Sequence, residues 1–334
     1  MNGVLEENLR DILERWGYQE IKVPILGDLD LWKDNNIVKI IDGRGRVLAL
    51  RPEITSLVIQ NIIYENLPIR LYYMGPIFSF EYGEIKESFQ IGWELISPQD
   101  EWRDIEGLAI IFDVLLRLNI KDFIIEINDT EIWDNIWKDF DKERINRWRK
   151  YLIKKDYVSF FEDISKEKIE ENKIKDIRNL IFYPRGEIRN LEVKNRLEKL
   201  YEFKEKLRKV GVDSQKILIS PSLFRPFEYY KGLVFQVYLK ELKIPLGGGG
   251  SYIQYNKKGE EICGIGFAFR EENLSKILDK FIDKRKIYVG ESSKYIEYYK
   301  LIKEEREKGN KVVFIPYSNN LNINNLKGEV VLLK

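Results

Sequence analysis

Alternation of hydrophobic and polar residues marks a β-strand near residues 88–95. Phe89, Ile91, Trp93 and Leu95 alternate there with Gln90, Gly92 and Glu94. Because successive side chains of a strand point to opposite faces, Gln90 and Glu94 are predicted to share one face, with Gly92 leaving room for a ligand between them. An amide and a carboxylate in one space favour recognition of a small cationic or hydrogen-bonding molecule. A solvated sheet face explains the same pattern.

Further periodic segments complete a mixed architecture. Strands are predicted at 21–23, 37–41, 47–50, 70–74, 123–128, 216–219, 232–239, 251–255, 261–269, 287–289, 312–315 and 329–333. Asp42 to Gly45 form a predicted hairpin turn. Helices are predicted at 5–16, from Pro52 and Glu53 to about 65, at 105–118 and 294–308, and from about Glu271. The pattern indicates an α+β fold, with a mixed, mainly antiparallel sheet flanked by helices.

Composition divides the chain into three predicted domains. Residues 131–210 are rich in Lys, Glu, Asn and Trp at helical spacing, which indicates a helical insertion. The insertion interrupts a core formed by 1–130 and 211–283, and residues 284–334 form a short C-terminal α/β domain.

The charge balance and the rare residue types limit which partners and which kinds of active site are expected. The 334 residues include 56 basic and 55 acidic side chains, so the net electrostatic field of the chain does not favour binding to nucleic acid or to anionic lipid. Cys263 is the only cysteine, which excludes internal disulfides and fits a reducing cytoplasm. No histidine is present, so imidazole catalysis is excluded and no metal site is expected. No signal peptide or membrane span is predicted, and we expect a cytoplasmic location.

Two later motifs carry candidate binding groups. Arg225, Tyr229 and Tyr230 precede a strand; the guanidinium suits a carboxylate, and Tyr230 would close a pocket. A surface loop with packed tyrosines explains this motif equally well. The run from Gly247 to Gly250 lacks the Lys-Ser/Thr of a phosphate-binding loop, so a glycine-rich turn or bulge is the better interpretation.

In order and spacing, these motifs resemble the catalytic core of histidyl-tRNA synthetase, a class II aminoacyl-tRNA synthetase. RPEIT resembles that family's RPEGT, and GPIFSFE with QIGWE resembles its second class-defining motif. FRPFEYYKGLVF is similar to the RGLDYY element, GGGGSY to the GGRYD turn and GIGFAFREENL to the third class-defining motif. The resemblance covers about residues 5–274 and implies the class II antiparallel sheet, normally built as a dimer.

Departures from the family fall on its ATP site. Ser79 stands where the family's second motif has an arginine that holds the amino-acid carboxylate and the α-phosphate, and Asn273 replaces the arginine that clamps the nucleotide. The loop between Glu81 and Gln90 is also short. A fixed guanidinium stabilises developing phosphate charge, and neither replacement supplies one. We therefore expect loss of adenylation and no cofactor. From the resemblance, we expect the tail after Asp283 to be too short for the family's full anticodon-binding domain.

The amino-acid pocket, by contrast, keeps the family's residues. The resemblance assigns histidine binding to Glu53, Thr55, Gln90, Glu94, Arg225, Tyr229 and Tyr230, with Gly250 and Tyr252 as further lining. Glu53 and Glu94 would pair with the ligand's ammonium group and imidazole N–H, while Gln90 and Thr55 orient it. Arg225 would bind rather than assist catalysis.

A synthetase-like core with this pocket and without an ATP clamp resembles the regulatory subunit family of ATP phosphoribosyltransferase. The implied role is non-catalytic: to activate the short catalytic subunit in the first step of histidine biosynthesis and to bind L-histidine for feedback inhibition. The implied assembly is a hetero-oligomer that contains a dimer of this chain, without membrane or nucleic-acid partners. An active histidyl-tRNA synthetase and a synthetase-like tRNA-binding module are the alternatives.

Overall fold

The structure is a computed structural model. The residues it describes are 3–32, 37–62, 67–81, 83–227, 229–239, 245–278, 286–308, 310, 312–318, 321–326 and 329–333. The chain divides into two compact units, Met1–Leu274 and Ser275–Lys334. The three domain boundaries expected from composition stay a prediction.

The first unit contains most of the regular elements. Before the helical region they are α1 (Gly3–Arg15), β1 (Gln19–Glu20), β2 (Leu26–Asp28), β3 (Lys39–Ile41), β4 (Val47–Leu50), α2 (Thr55–Asn61), β5 (Ile69–Glu81), β6 (Glu84–Ile96), α3 (Glu101–Arg117) and β7 (Phe123–Asp129). The helical region contains α4 (Glu131–Trp137), α5 (Lys142–Ile153), α6 (Tyr157–Ile164), α7 (Glu171–Phe182) and α8 (Leu191–Lys209). After it come β8 (Ile217–Ile219), β9 (Tyr230–Leu239), β10 (Pro245–Tyr255) and β11 (Glu261–Arg270), and α9 (Glu271–Leu278) begins in this unit and ends beyond Leu274.

An eight-stranded sheet forms the centre of this unit. Its strand order is β1-β5-β6-β11-β10-β9-β7-β8, and only the outer pairs β1/β5 and β7/β8 are parallel. β2, β4 and β3 form a separate three-stranded antiparallel sheet. The predicted α+β class with a mainly antiparallel sheet is therefore confirmed.

The central strands bury an aromatic cluster on one face of the sheet. Trp93 lies 5.0 Å from Phe267 and 5.9 Å from Phe269 between ring centroids, and all three rings are buried. On the same side, Gly107 of α3 packs so closely on Ile265 that an added Cβ would lie 2.8 Å from its Cδ1. Apolar burial on this side fixes the register of β6 and β11, and with it the residues of the opposite face.

The glycine run lies inside a strand rather than in a turn. β10 begins at Pro245 and pairs through these glycines with both neighbours, with register shifts at each end of the run. A Cβ on Gly249 would lie 1.9 Å from the carbonyl oxygen of Gly266. The predicted bulge and close backbone approach are therefore confirmed. The predicted turn is wrong, because the glycines lie within a strand whose backbone packs directly against the neighbouring backbone.

Other element bounds also differ from the sequence prediction. β5 and β6 form a hairpin of 13 residues each, which extends well beyond the predicted strands. Its turn contains Gly83 at a φ of +86°, so the segment predicted to be a short loop is mostly strand. Residues 21–23 are not a strand; the nearest is β1 at Gln19–Glu20. Helix α2 begins at Thr55 rather than Pro52, and its predicted end near 65 lies outside the described residues.

The second unit is a small α/β layer. Its elements are β12 (Lys286–Gly290), α10 (Tyr295–Glu307), β13 (Val312–Pro316) and β14 (Glu329–Leu332). The strands form a parallel sheet in the order β13-β12-β14, and Tyr288, Tyr298, Ile302 and Val312 form its buried cluster. Within the described parts of both units, every helix is too short or too polar to cross a bilayer.

Candidate functional site

The candidate site lies on the sheet face opposite the aromatic cluster. Residues directly opposite in an antiparallel pair share a face. The register of β6 and β11 places Glu94 opposite Gly266 and Gln90 opposite Arg270. The prediction that Gln90 and Glu94 share one face is therefore confirmed, and the face is not an open solvated surface at Glu94, which is 1% exposed.

The space over Gly92 is occupied by a side chain of the protein. A Cβ on Gly92 would lie 2.7 Å from the Cζ and hydroxyl oxygen of Tyr73. Tyr73 is buried, and its hydroxyl donates to Oε1 of Glu94 at 3.3 Å. The glycine therefore makes room for this phenol rather than for a ligand, which corrects the sequence prediction.

Glu94 is the central buried acid of the site. Thr55 Oγ1 donates to its Oε1 at 2.7 Å. Its Oε2 has no partner of hydrogen-bond geometry among the described residues and lies where a Cβ on Gly266 would be only 1.9 Å away. Burial raises the pKa of Glu94 to about 8, although the bond from Thr55 opposes this shift. The Tyr252 hydroxyl also lowers this pKa, but burial prevails, so the carboxyl group is costly to ionise until a donor or cation of regular geometry meets Oε2.

Glu53 is tied to the start of α2. Trp32 Nε1 donates to its Oε1 at 2.6 Å, and the backbone N–H of Ser56 lies 3.1 Å from both carboxylate oxygens. A carboxylate at a helix N-terminus is stabilised by these free amides. Burial nevertheless raises the pKa of Glu53, because desolvation outweighs the bonds from Ser56 and Trp32.

Replacing Trp32 with phenylalanine should lower the free energy of unfolding by about 2 kcal/mol, since a buried Glu53 oxygen loses its indole donor. Urea unfolding measures this change. Trp102→Phe is the control, because Trp102 is 39% exposed. Equal midpoints for the two variants would show that the bond to Glu53 adds nothing to stability.

Arg225 lies against the glycine strand. A Cβ on Gly248 would be 2.5 Å from its Nη1, and its guanidinium carbon lies 5.9 Å from the ring centroid of Tyr230. Its Nε is buried without a hydrogen-bond partner within the described part of the chain. Arg225 lowers the pKa of Tyr230, but burial is stronger and raises it overall. The guanidinium thus lies over the sheet, and its Nε can still donate a hydrogen bond.

Aromatic contacts connect Arg225 to Glu94. Tyr229 lies 4.8 Å from Tyr230 and 6.1 Å from Tyr252 between ring centroids. The Tyr252 hydroxyl lies over Gly264 and is buried without a regular hydrogen bond to any described residue. Burial raises the pKa of Tyr229 well above its usual range, and the charges of Glu53 and Glu94 act in the same direction. The structure thus brings the predicted tyrosines beside the two acids.

Gln90 and Gly250 lie at the margins of this arrangement. Gln90 Oε1 is buried and lacks a hydrogen-bond donor among the residues described. A Cβ on Gly250 would lie 2.6 Å from the carbonyl oxygen of Leu233, so this glycine allows β10 to approach β9. Its further role as pocket lining, like the histidine-binding role of the other residues, stays a prediction.

Ser79 and Asn273, which replace the two ATP-site arginines of the family, bond to groups of the chain itself. Ser79 Oγ donates to Glu81 Oε1 at 3.2 Å, and Lys86 pairs with the other oxygen at 3.0 Å. Lys86 lowers the pKa of Glu81. Asn273 is buried, and its Nδ2 donates to the carbonyl oxygen of Pro245 at 2.9 Å. Neither side chain supplies a positive charge at this end of the site.

Sequence reasoning did not identify three residues that shape the pocket: Trp32, Arg51 and Tyr73. Arg51 is 4% exposed, and its guanidinium donates to backbone carbonyl oxygens of Val23, Pro24 and Pro76. Period-two alternation in β5 would have placed Tyr73 on a sheet face, but no local signal shows its contact with Glu94.

Chemically, the site presents hydrogen-bonding groups of both signs. It combines two buried acids, a guanidinium and several aromatic rings on one face of the sheet. Such an arrangement suits a small zwitterionic molecule whose cationic and anionic groups are a few bonds apart.

Comparisons with known proteins agree with this fold. The sequence model of the histidyl-tRNA synthetase family matches residues 2–274. A relative from Halothermothrix orenii, named ATP phosphoribosyltransferase regulatory subunit, is 30% identical over 299 residues, which cover 81% of this chain and 70% of the relative. A relative from Sulfolobus acidocaldarius, named histidine–tRNA ligase, is 26% identical over 324 residues, which cover 85% and 73%.

A solved structure shows the same class II synthetase-like fold. It comes from Bacillus halodurans and is described as an ATP phosphoribosyltransferase regulatory subunit/histidyl-tRNA synthetase. It is 22% identical, with a TM-score of 0.75 over 99% of this chain and 93% of that chain. The family match over most of the length shows that the chain belongs to the histidyl-tRNA synthetase family, in which its relatives include ATP phosphoribosyltransferase regulatory subunits.

Proposed function

We propose that this chain is a non-catalytic regulatory subunit of ATP phosphoribosyltransferase that acts in the cytoplasm at the first step of histidine biosynthesis. It activates the short catalytic subunit and binds L-histidine as a feedback effector. The observation that carries the proposal is the contrast within one site: Glu94 Oε2 and Arg225 Nε are buried without partners among the described residues, whereas Ser79 and Asn273 are bonded to the chain itself.

The groups of this site match the chemistry of histidine. One of the acids Glu53 and Glu94 receives the ammonium group and the other the imidazole N–H, and Thr55 and Gln90 orient the ligand. Arg225 takes the carboxylate through its planar fork. Tyr229, Tyr230 and Tyr252 pack against the imidazole and exclude water. A ligand cation beside Glu94 also offsets the desolvation that raises the pKa of this acid.

The nucleotide side of the site lacks what adenylation needs. Charge develops on the α-phosphate when the amino acid is activated, and fixed cations stabilise it by several kcal/mol. Serine and asparagine replace both expected guanidinium groups. The tight β5–β6 hairpin further supports loss of the nucleotide loop.

Regulation then follows from linkage. Histidine inhibits the complex only if it binds more tightly to the less active of two arrangements, and any substrate that binds more tightly to the active arrangement must in turn weaken histidine binding. We further propose that the chain acts as a dimer within the hetero-oligomer.

Two measurements on the purified chain should give opposite results. Calorimetry is expected to detect L-histidine binding, whereas histidine-dependent ATP–pyrophosphate exchange should be absent because Ser79 and Asn273 replace the two arginines that would meet the phosphate charge. Exchange above background would favour the alternative, an active histidine–tRNA ligase, which the ligase-named relative keeps open.

The assembly is tested by co-expression with a short ATP phosphoribosyltransferase catalytic chain. The two chains should co-purify, and the catalytic rate should rise in the complex and fall when L-histidine is added. Failure to co-purify, together with a gel shift of tRNA at physiological salt, would instead favour a tRNA-binding module.

A further inference from the structure

The segment that leads into Arg225 is fastened to the helical region 131–210. Trp133 Nε1 donates to the carbonyl oxygen of Pro221 at 2.6 Å. From a second helix, the hydroxyl of Tyr157 donates to Ser222 Oγ at 3.3 Å. These bonds come from α4 and α6, which lie far from residue 225 in sequence. The backbone that carries Arg225 therefore depends on the helices for its position.

Phe224, the residue before Arg225, is enclosed by indole rings. Its ring stacks on Trp137 with centroids 5.3 Å apart and planes inclined by 14°. It also lies 5.5 Å from Trp133. Phe224 is 7% exposed, and the two tryptophans are buried as well. Close packing of three rigid rings leaves this side chain little freedom to shift.

Arg225 itself has few restraints of its own. Its side chain rests on Gly248 and near Tyr230, and its buried Nε has no hydrogen-bond partner among the described residues. A bidentate contact to a carboxylate requires the planar guanidinium at a defined distance and angle. The restraint therefore has to come from the backbone, through the neighbouring Phe224.

We propose that Trp133 and Trp137 of α4 are positioning residues for ligand binding: they hold Phe224, and Phe224 sets the guanidinium of Arg225 toward the ligand's carboxylate. This inference rests on the proposed function, because it concerns the carboxylate of the same amino-acid ligand. In this proposal the helical region determines how strongly the ligand's carboxylate is bound. Glu53 and Glu94 bind the cationic groups of the ligand independently of α4.

The test compares two ligands that differ only at this end: L-histidine and L-histidinol, in which a hydroxymethyl group replaces the carboxylate. Trp137→Leu removes the stacked ring without removing a hydrogen bond, since Trp137 Nε1 has none to the described residues. We expect the Kd for histidine to rise about tenfold, and the Kd for histidinol to change less than twofold. Arg225→Ala should abolish the preference of the wild type for histidine.

Trp148→Leu is the matched control. Trp148 is an equally buried tryptophan of the helical region, and its Nε1 bonds Asp163. Its ring contacts Phe140 and Phe160, so that it reaches Phe224 only indirectly, through Phe160 and Trp133. This variant should lose thermal stability and keep the wild-type ratio of the two Kd values. If the ratio of the Kd values for histidine and histidinol is unchanged in Trp137→Leu, even when both Kd values rise equally, the positioning role is overturned. The proposal that the wild type binds histidine would not be affected by that result.

A ligand-free readout separates this inference from the proposed function. Phenylglyoxal modifies accessible guanidinium groups, and peptide mass spectrometry measures its rate at Arg225. The rate should rise in Trp137→Leu relative to both the wild type and Trp148→Leu. If wild-type protein binds neither ligand, the proposed function fails; equal phenylglyoxal rates in the two variants would overturn the positioning of Arg225.

Discussion

Replacing Glu94 with glutamine is expected to raise the Kd for L-histidine at least 100-fold. Truncating one partner of a buried, hydrogen-bonded charge pair costs about 2–5 kcal/mol, and a factor of 100 corresponds to about 2.7 kcal/mol. The amide keeps the size of the side chain but cannot be charged, and it places a donor where Oε2 would accept. Isothermal calorimetry at pH 8 measures the change.

Glu87→Gln is the matched control for this variant. Glu87 lies on the same strand β6 and is exposed, so the same substitution there should leave the Kd within twofold of the wild type. A Kd for the Glu94 variant within fivefold of the wild-type value would remove Glu94 from the binding site. In that case Glu53 would be the only acid left for the ligand.

The same substitution should make the ligand-free protein more stable at alkaline pH. Burial raises the pKa of Glu94 in the folded chain from its usual 4.5 to about 8. The folded state therefore holds the proton more tightly, and its stability falls as pH rises from about 4.5 to 8. Since a tenfold change in acid dissociation is about 1.4 kcal/mol, the full loss is about 3–5 kcal/mol.

Urea unfolding from pH 4.5 to 9 measures this loss as a difference between two proteins. The free energy of unfolding of the wild type should decline relative to that of Glu94→Gln through this window and stay parallel above pH 8. The difference reports Glu94 together with its charge coupling to Glu53, because Glu53, Asp104 and Asp129, whose pKa values are also raised by burial, are present in both proteins. Curves that run parallel across the whole range would contradict a buried, protonated Glu94.

These two results together would describe a site selected for binding rather than for stability. A buried acid with a free oxygen weakens the empty protein and strengthens the complex, because the ligand supplies the missing donor. The same reasoning explains why Arg225 needs Phe224: an unpaired guanidinium is useful only if its position is fixed before the ligand arrives.

Periodicity predicted the architecture wherever burial is one-sided. The alternation around Gln90 and Glu94 predicted their common face, and the helical stripe at 5–16 predicted α1, whose Leu5, Leu9, Ile12 and Leu13 are buried. Prediction failed in the β5–β6 hairpin beyond Met74, because Gly75 and Pro76 interrupt the strand pattern and the adjacent apolar residues Ile77 and Phe78 break the alternation.

The sequence by itself determined the fold class, the family and the residue types at each motif position, because these depend on local patterns and on motif order. Only the tertiary structure decided what each group contacts. It placed Tyr73 over Gly92, bonded Trp32 to Glu53 and enclosed Phe224 between Trp133 and Trp137. These contacts join residues distant in the chain, and hydrogen bonds and pKa values depend on such neighbours rather than on the local sequence.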